Sequence, residues 1–296
     1  MAKIKKVTEK GVKEKKAKRP MSTKAKVRRY AENVIMGCLV CIMLFSAWKI
    51  YSIMRDYKNN QDIYDTISGQ SRDGEFTGDI DFDALRKINP DVVGWIYYKD
   101  TIIDYPIVKG EDNDKYLYTM FDGTYSGFGC LFVDAVTEAP FKQFNTIVYG
   151  HHMRNGSMFA PLQKLKEESF CKEHPRLELI TPEGKFHLEI WAFLNQPSDS
   201  NLYTTNIRDI GGREVYLDTV QKLASYTTDV AVEPTDRLVL LSTCAYEYQE
   251  ARYMVMCKMV PWEGENIDMS YDTEDTGGDE SDDTDTEENT FSEDEA

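Results

Sequence analysis

Histidine is scarce in this 296-residue chain, with four residues in all, and the six cysteines show no paired spacing. The first scarcity leaves few side chains for proton transfer near neutral pH. The second argues against a disulfide framework. Cys38-x-x-Cys41 falls inside an apolar run, where it reads as lipid-facing packing and not as a redox or metal motif. Cys130, Cys171, Cys244 and Cys257 stand far apart. No cluster with metal-ligand spacing and no phosphate-binding glycine loop occurs, so no cofactor and no metal are expected. Internal repeats are also absent.

Charge is absent by sign at each end. Residues 1–30 hold thirteen Lys or Arg against only Glu9 and Glu14, whereas residues 263–296 hold sixteen Asp or Glu and no basic residue. That acidic segment has scarcely any apolar side chain, cannot offset its ordering entropy by burial, and is expected to be disordered. Val34 to Trp48 form the one long apolar run, and its flanks extend it to a length that can span a bilayer. Trp48, Lys49 and Tyr51 suit the interface, and the basic arm before the run predicts a cytoplasmic amino terminus. A cleaved signal peptide is the competing reading. The long basic region and the lack of a small-x-small site oppose it. The expected organisation is a basic arm (1–30), a single-pass anchor (31–54), a polar stalk (55–80), a catalytic domain (81–262) and the acidic tail (263–296). A free thiol persisting outside the cell suggests a bacterial surface without strong disulfide formation.

Within the domain, Asp81 is placed to cap a helix ended by Pro90. Eight short β-like runs follow: 92–98, 102–108, 129–133, 146–151, 177–180, 186–193, 238–244 and 253–260. Their number and spacing predict a mainly β fold, a closed barrel or a sandwich. Two segments carry helical spacing. Met158–Glu173 has Pro161 near its start, and Gly212–Tyr226 has Val215, Leu217, Val220 and Leu223 on one stripe. The second lies in a long connection, 195–236, of the kind that forms functional walls.

The chemistry gathers at strand ends. Cys244 closes the run Leu238–Thr243, and Arg252 opens the run Tyr253–Met256 eight residues later. Antiparallel pairing of those strands would make the two residues neighbours at one rim, where a guanidinium favours a thiolate and can donate to an oxyanion. Tyr149-Gly150-His151 closes Thr146–Val148. Alternation puts His151 on the face of Tyr149 and His152 on the opposite one, pointing to packing or solvent. A bulge at Gly150 would exchange them. His174 and His187 read as surface or packing residues. Nucleophile, acid/base and cation are the parts that thiol acyl transfer needs.

Tyr149-Gly150-His151-His152-Met153 with Asn155-Gly156-Ser157-Met158-Phe159 resembles the histidine segment of the class B sortases. Leu241-Ser242-Thr243-Cys244 with Arg252 resembles their cysteine strand and arginine. Gly129-Cys130-Leu131-Phe132-Val133-Asp134 resembles another family strand, and the helix-bearing connection fits class B. The resemblance covers about residues 80–262. It implies a closed eight-stranded sortase-like β-barrel with peripheral helices, preceded by one transmembrane helix. It also implies a membrane-anchored cysteine transpeptidase of the Gram-positive surface that cleaves a sorting pentapeptide between Thr and Gly or Asn. A thioacyl-enzyme would then pass to a cell-wall or pilin amine. Carried over by position, Cys244 is the nucleophile, His151 the acid/base and Arg252 the oxyanion donor. Asn113, Leu117, Tyr149, Ser242 and, as a weaker match, Tyr203 line the peptide groove. The resemblance leaves the backbone N–H of Ala245 as a further oxyanion-hole candidate. Expected partners are sorting-signal peptides, an amine acceptor and the membrane, with no nucleic acid.

A papain-like protease would place Cys on a helix before His, the reverse of the order here. An L,D-transpeptidase would carry its arginine almost beside the cysteine. A membrane-anchored protease that releases to water, and a non-enzymatic binding module, remain the other readings.

Overall fold

The computed structural model describes residues 22–71, 76–245, 247 and 249–270; most of the basic arm and of the acidic tail lies outside them. Two compact units divide after Asn59. One helix, α1 (Thr23–Ser71), carries the apolar run. It is long and apolar enough to cross a membrane, and its large apolar side chains between Val34 and Met54 are exposed.

The residues read as a polar stalk, with room for one short helix, continue α1 through Ser71. Asn60, Tyr64 and Ile67 recur at helical spacing and share a face. Tyr64 and Ile67 are buried, the Tyr64 hydroxyl donates to the Gly129 carbonyl at 2.6 Å, and Asn60 Nδ2 donates to Ser126 Oγ at 2.8 Å. Burying a side chain such as Ile67 contributes about 1.5–3 kcal/mol. A stripe this narrow leaves the overall composition polar, so the pattern did not signal docking.

Among the described residues nine strands form one sheet: β1 (Val92–Tyr97), β2 (Asp104–Lys109), β3 (Leu131–Val133), β4 (Asn145–Tyr149), β5 (Arg176–Thr181), β6 (Gly184–Pro197), β7 (Tyr226–Thr227), β8 (Leu238–Cys244) and β9 (Ala251–Pro261). Their order is β5-β1-β2-β3-β4-β8-β9-β6-β7, and β5 also pairs with β6. Eight strands therefore close into a barrel, and β7 is a two-residue addition to β6. Closure leaves those eight strands no free edge and excludes the sandwich.

Asp81 caps α2 (Phe82–Ile88) by accepting the Ala84 N–H. The helix read over Met158–Glu173 is broken into a 3₁₀ segment, Ala160–Lys166, and α3 (Glu168–Glu173). Glu167 has extended backbone, and its N–H bonds to Lys164 O, the three-residue closure of a 3₁₀ turn. Asp209 caps α4 (Ile210–Leu223) by accepting the Gly212 N–H. Tyr216, Leu217 and Val220 of α4 pack on Leu238, Leu240, Met254 and Met256, so this helix roofs one face of β8 and β9. Val215, read as part of the stripe, points to solvent. The rim end of that roofed face holds Cys244 and Arg252.

Candidate active site

Strands β8 and β9 run antiparallel, and Cys244 is the register partner of Arg252. Alternation along Leu238, Leu240, Ser242 and Cys244 carries the α4-covered face to the rim, where burial ends and Cys244 is half-exposed. The Ala245 N–H donates to Ala251 O at 2.8 Å and closes the ladder. That N–H is committed to the hairpin, which corrects its reading as an oxyanion-hole donor. Arg252 Nη1 donates to Ala251 O at 3.0 Å, and Nη2 reaches Glu250 Oε2 at 3.3 Å. These bonds hold the guanidinium at the rim, with other N–H groups of its fork not engaged among the described residues.

Strand β4 lies parallel to β8, with Tyr149 level with Ser242, and the Gly150 N–H donates to Ser242 O at 3.1 Å. Beyond that last pair the chain leaves β4 through Gly150, and His151 and His152 follow at the end of the barrel where β8 closes on Cys244. Gly150 permits the passage: a Cβ there would meet Leu131 Cδ2 at 2.5 Å and Phe159 Cδ2 at 2.6 Å. His151 Nε2 donates to the Leu117 carbonyl at 2.8 Å. A carbonyl only accepts, so Nε2 carries a proton and Nδ1 holds the lone pair of the neutral ring. His152 turns to the other side, its ring 6.0 Å from that of Tyr253, and its Nδ1 donates to the Cys244 carbonyl at 2.7 Å.

The groove residues named from the sequence gather on the Cys244 side. Tyr203 and Ser242 share a hydroxyl hydrogen bond of 2.7 Å, and the rings of Tyr149 and Tyr203 lie 5.8 Å apart. Burial pushes both phenols to higher pKa, and the nearby Arg252 charge opposes this in each. Leu117 contributes its carbonyl to His151. Asn113 is drawn in through Asp134, a residue to which the sequence reading assigned no role. Asp134 Oδ2 accepts from the Tyr149 hydroxyl at 2.7 Å and from Asn113 Nδ2 at 3.3 Å, while Asn113 Oδ1 accepts the Ala135 N–H at 2.8 Å. The available signal was its position: Asp134 ends the run Leu131–Val133 as Cys244 ends its own.

The remaining histidines are elsewhere. His187 Nδ1 pairs with Glu178 at 2.6 Å and its ring stacks on Trp262, whereas His174 packs on Phe170. Cys130, Cys171 and Cys257 are buried, and burial raises each thiol, Cys130 to about 12. Cys244 alone of the four barrel cysteines reaches solvent. Among the described residues no group of His, Cys, Asp and Glu is arranged to hold a metal ion.

The sortase domain family matches residues 96–260. Sortase B of Listeria monocytogenes is 32% identical over 243 residues, spanning 79% of this chain and 99% of that protein. Sortase B of Staphylococcus aureus is 28% identical over 235 residues, spanning 77% and 96%. The solved Staphylococcus aureus sortase B–substrate complex superposes with a TM-score of 0.64 at 27% identity, covering 70% of this chain and 99% of that one. Sortase B of Bacillus anthracis in complex with AAEK1 gives 0.63 at 31% identity, with 70% and 99% covered. The barrel superposes on these solved structures, and the chain belongs to the sortase family. Within it the relatives are sortase B proteins, which makes this a class B sortase, a cysteine transpeptidase of the group that anchors proteins to the cell wall.

Proposed function

We propose that Cys244 is the nucleophile of a transpeptidation that cuts a sorting pentapeptide after its Thr, before Gly or Asn. The observation that carries this reading is the register pair Cys244–Arg252 at the open rim of the α4-roofed face. His151 takes the Cys244 thiol proton at Nδ1, the resulting thiolate attacks the Thr carbonyl carbon, and the Arg252 fork takes the oxyanion of the tetrahedral intermediate. The C–N bond breaks as His151 gives a proton from Nδ1 to the leaving amine, leaving a thioester. A cell-wall or pilin amine then attacks the thioester, His151 accepts its proton, and the new amide leaves Cys244 free. Tyr149, Ser242, Tyr203, Leu117 and Asn113 line the peptide groove, with Tyr149 and Asn113 braced by Asp134.

The domain boundaries and orientation belong to the same proposal. The thirteen basic residues before the apolar run favour a cytoplasmic amino terminus and an extracellular barrel. Transfer to an amine, as in the family, separates this reading from a hydrolytic protease, and turnover separates it from a binding module. His151→Ala tests the acid/base assignment. Turnover of an internally quenched pentapeptide, chosen from a Thr-Gly and Thr-Asn library on the wild-type chain, should fall at least ~10²–10⁴-fold. A folded variant with near wild-type kcat would remove His151 from the role.

A further inference from the structure

We propose that His152 is a positioning residue of the transfer reaction, acting through the backbone of Cys244. The inference rests on the assignment of Cys244 as nucleophile and deepens it. Strand β4 ends at Tyr149, while the parallel ladder it shares with β8 has one more acceptor to satisfy. Gly150 N–H bonds Ser242 O, and two residues on, the next donor in register is His152, opposite Cys244 O. By then the chain has left the strand and bridges to Met158. The imidazole of that same residue makes the contact: Nδ1 donates to the Cys244 carbonyl at 2.7 Å. A side chain thus extends the ladder beyond the last backbone pair.

The bond fixes one particular peptide plane. The Cys244–Ala245 peptide is held on its carbonyl side by His152 and on its N–H side by Ala251 O at 2.8 Å. Cys244 is the last residue of β8, so this plane is what ties its Cα to the barrel on the loop side. The imidazole approaches from the Tyr253 side, opposite the thiol, so it steadies the sulfur without competing for it. His152 itself is held by its bridge to Met158, whose side chain is fully buried. Two adjacent histidines therefore divide the work. His151 is assigned the proton transfer, and His152 holds the backbone that aims the thiol.

The donor atom makes the claim testable. In asparagine, Nδ2 stands as far from the backbone as Nδ1 does in histidine and can donate, whereas phenylalanine keeps a ring and cannot. In the full chain in detergent micelles, with the library-selected quenched pentapeptide and an amine acceptor, His152→Phe should lower kcat about tenfold or more, as small misplacements of reacting groups do. KM should stay within about twofold, because the groove lies on the other face. His152→Asn should return kcat to within about threefold of wild type. A folded Phe variant with wild-type kcat would overturn the proposal. So would an Asn variant as impaired as Phe, or a loss confined to KM. Melting curves accompany each variant, and if Phe does not fold, the Ala and Asn pair is compared by the same criteria. Turnover by Cys244→Ala would overturn the underlying assignment as well, so the two failures are told apart.

Discussion

Replacing Arg252 by lysine keeps the charge and removes the fork, so it isolates what the guanidinium geometry supplies. In the structure Nη1 is on Ala251 O at 3.0 Å and Nη2 is 3.3 Å from Glu250 Oε2, which orients the plane with N–H groups left for a substrate oxygen. A lysine has one nitrogen on a flexible stem and cannot hold both anchors and an oxyanion at once. The neighbouring backbone offers no substitute, because the Ala245 N–H is spent on Ala251 O. Loss of one oxyanion donor typically costs about 2.7–4 kcal/mol, a fall of roughly 10²–10³ in kcat. The contacts among Tyr149, Tyr203 and Ser242 are untouched by the substitution, so KM should change much less than kcat. Steady-state transpeptidation of the quenched pentapeptide, with a melting curve as control, measures both. A folded Arg252→Lys variant within about threefold of wild-type kcat would refute this reasoning. A rise in KM alone would reassign Arg252 to peptide binding.

The cysteines should separate by reactivity. Brief iodoacetamide treatment near pH 8 should alkylate Cys244 ahead of Cys130, Cys171 and Cys257, whose thiols are buried and raised in pKa; equal labelling of Cys130 on peptide mapping would contradict that burial. On intact cells, external protease should remove the barrel and spare the basic arm, and protection of the barrel would reverse the proposed orientation.

The eight closing strands were legible because each is a short run bounded by turn residues, and alternation correctly set Ser242 and Cys244 on one face. Hairpin spacing alone predicted the Cys244–Arg252 pair, since a local connection fixes local register. Long-range pairing was not legible: nothing in Asn145–Tyr149 announces that it lies parallel to β8. The partners of the two histidines were hidden for the same reason, because both acceptors are backbone carbonyls of distant segments, Leu117 and Cys244. Backbone groups leave no trace in composition. Asp134 was overlooked because one buried carboxylate at a strand end looks like any solvated one until Tyr149 and Asn113 converge on it. The break at Glu167 escaped the helical pattern because a 3₁₀ turn and an α-turn place apolar residues at nearly the same spacing.

The central claim is that Cys244 carries the acyl group between two amines. Rapid quench of the full chain with the library-selected pentapeptide, without acceptor, followed by intact-mass measurement and peptide mapping, tests it most directly. The account predicts an adduct equal to the peptide acyl group through its Thr, mapped to Cys244, released by hydroxylamine and lost in Cys244→Ala. Turnover with no covalent adduct, or an adduct on any other residue, would contradict it.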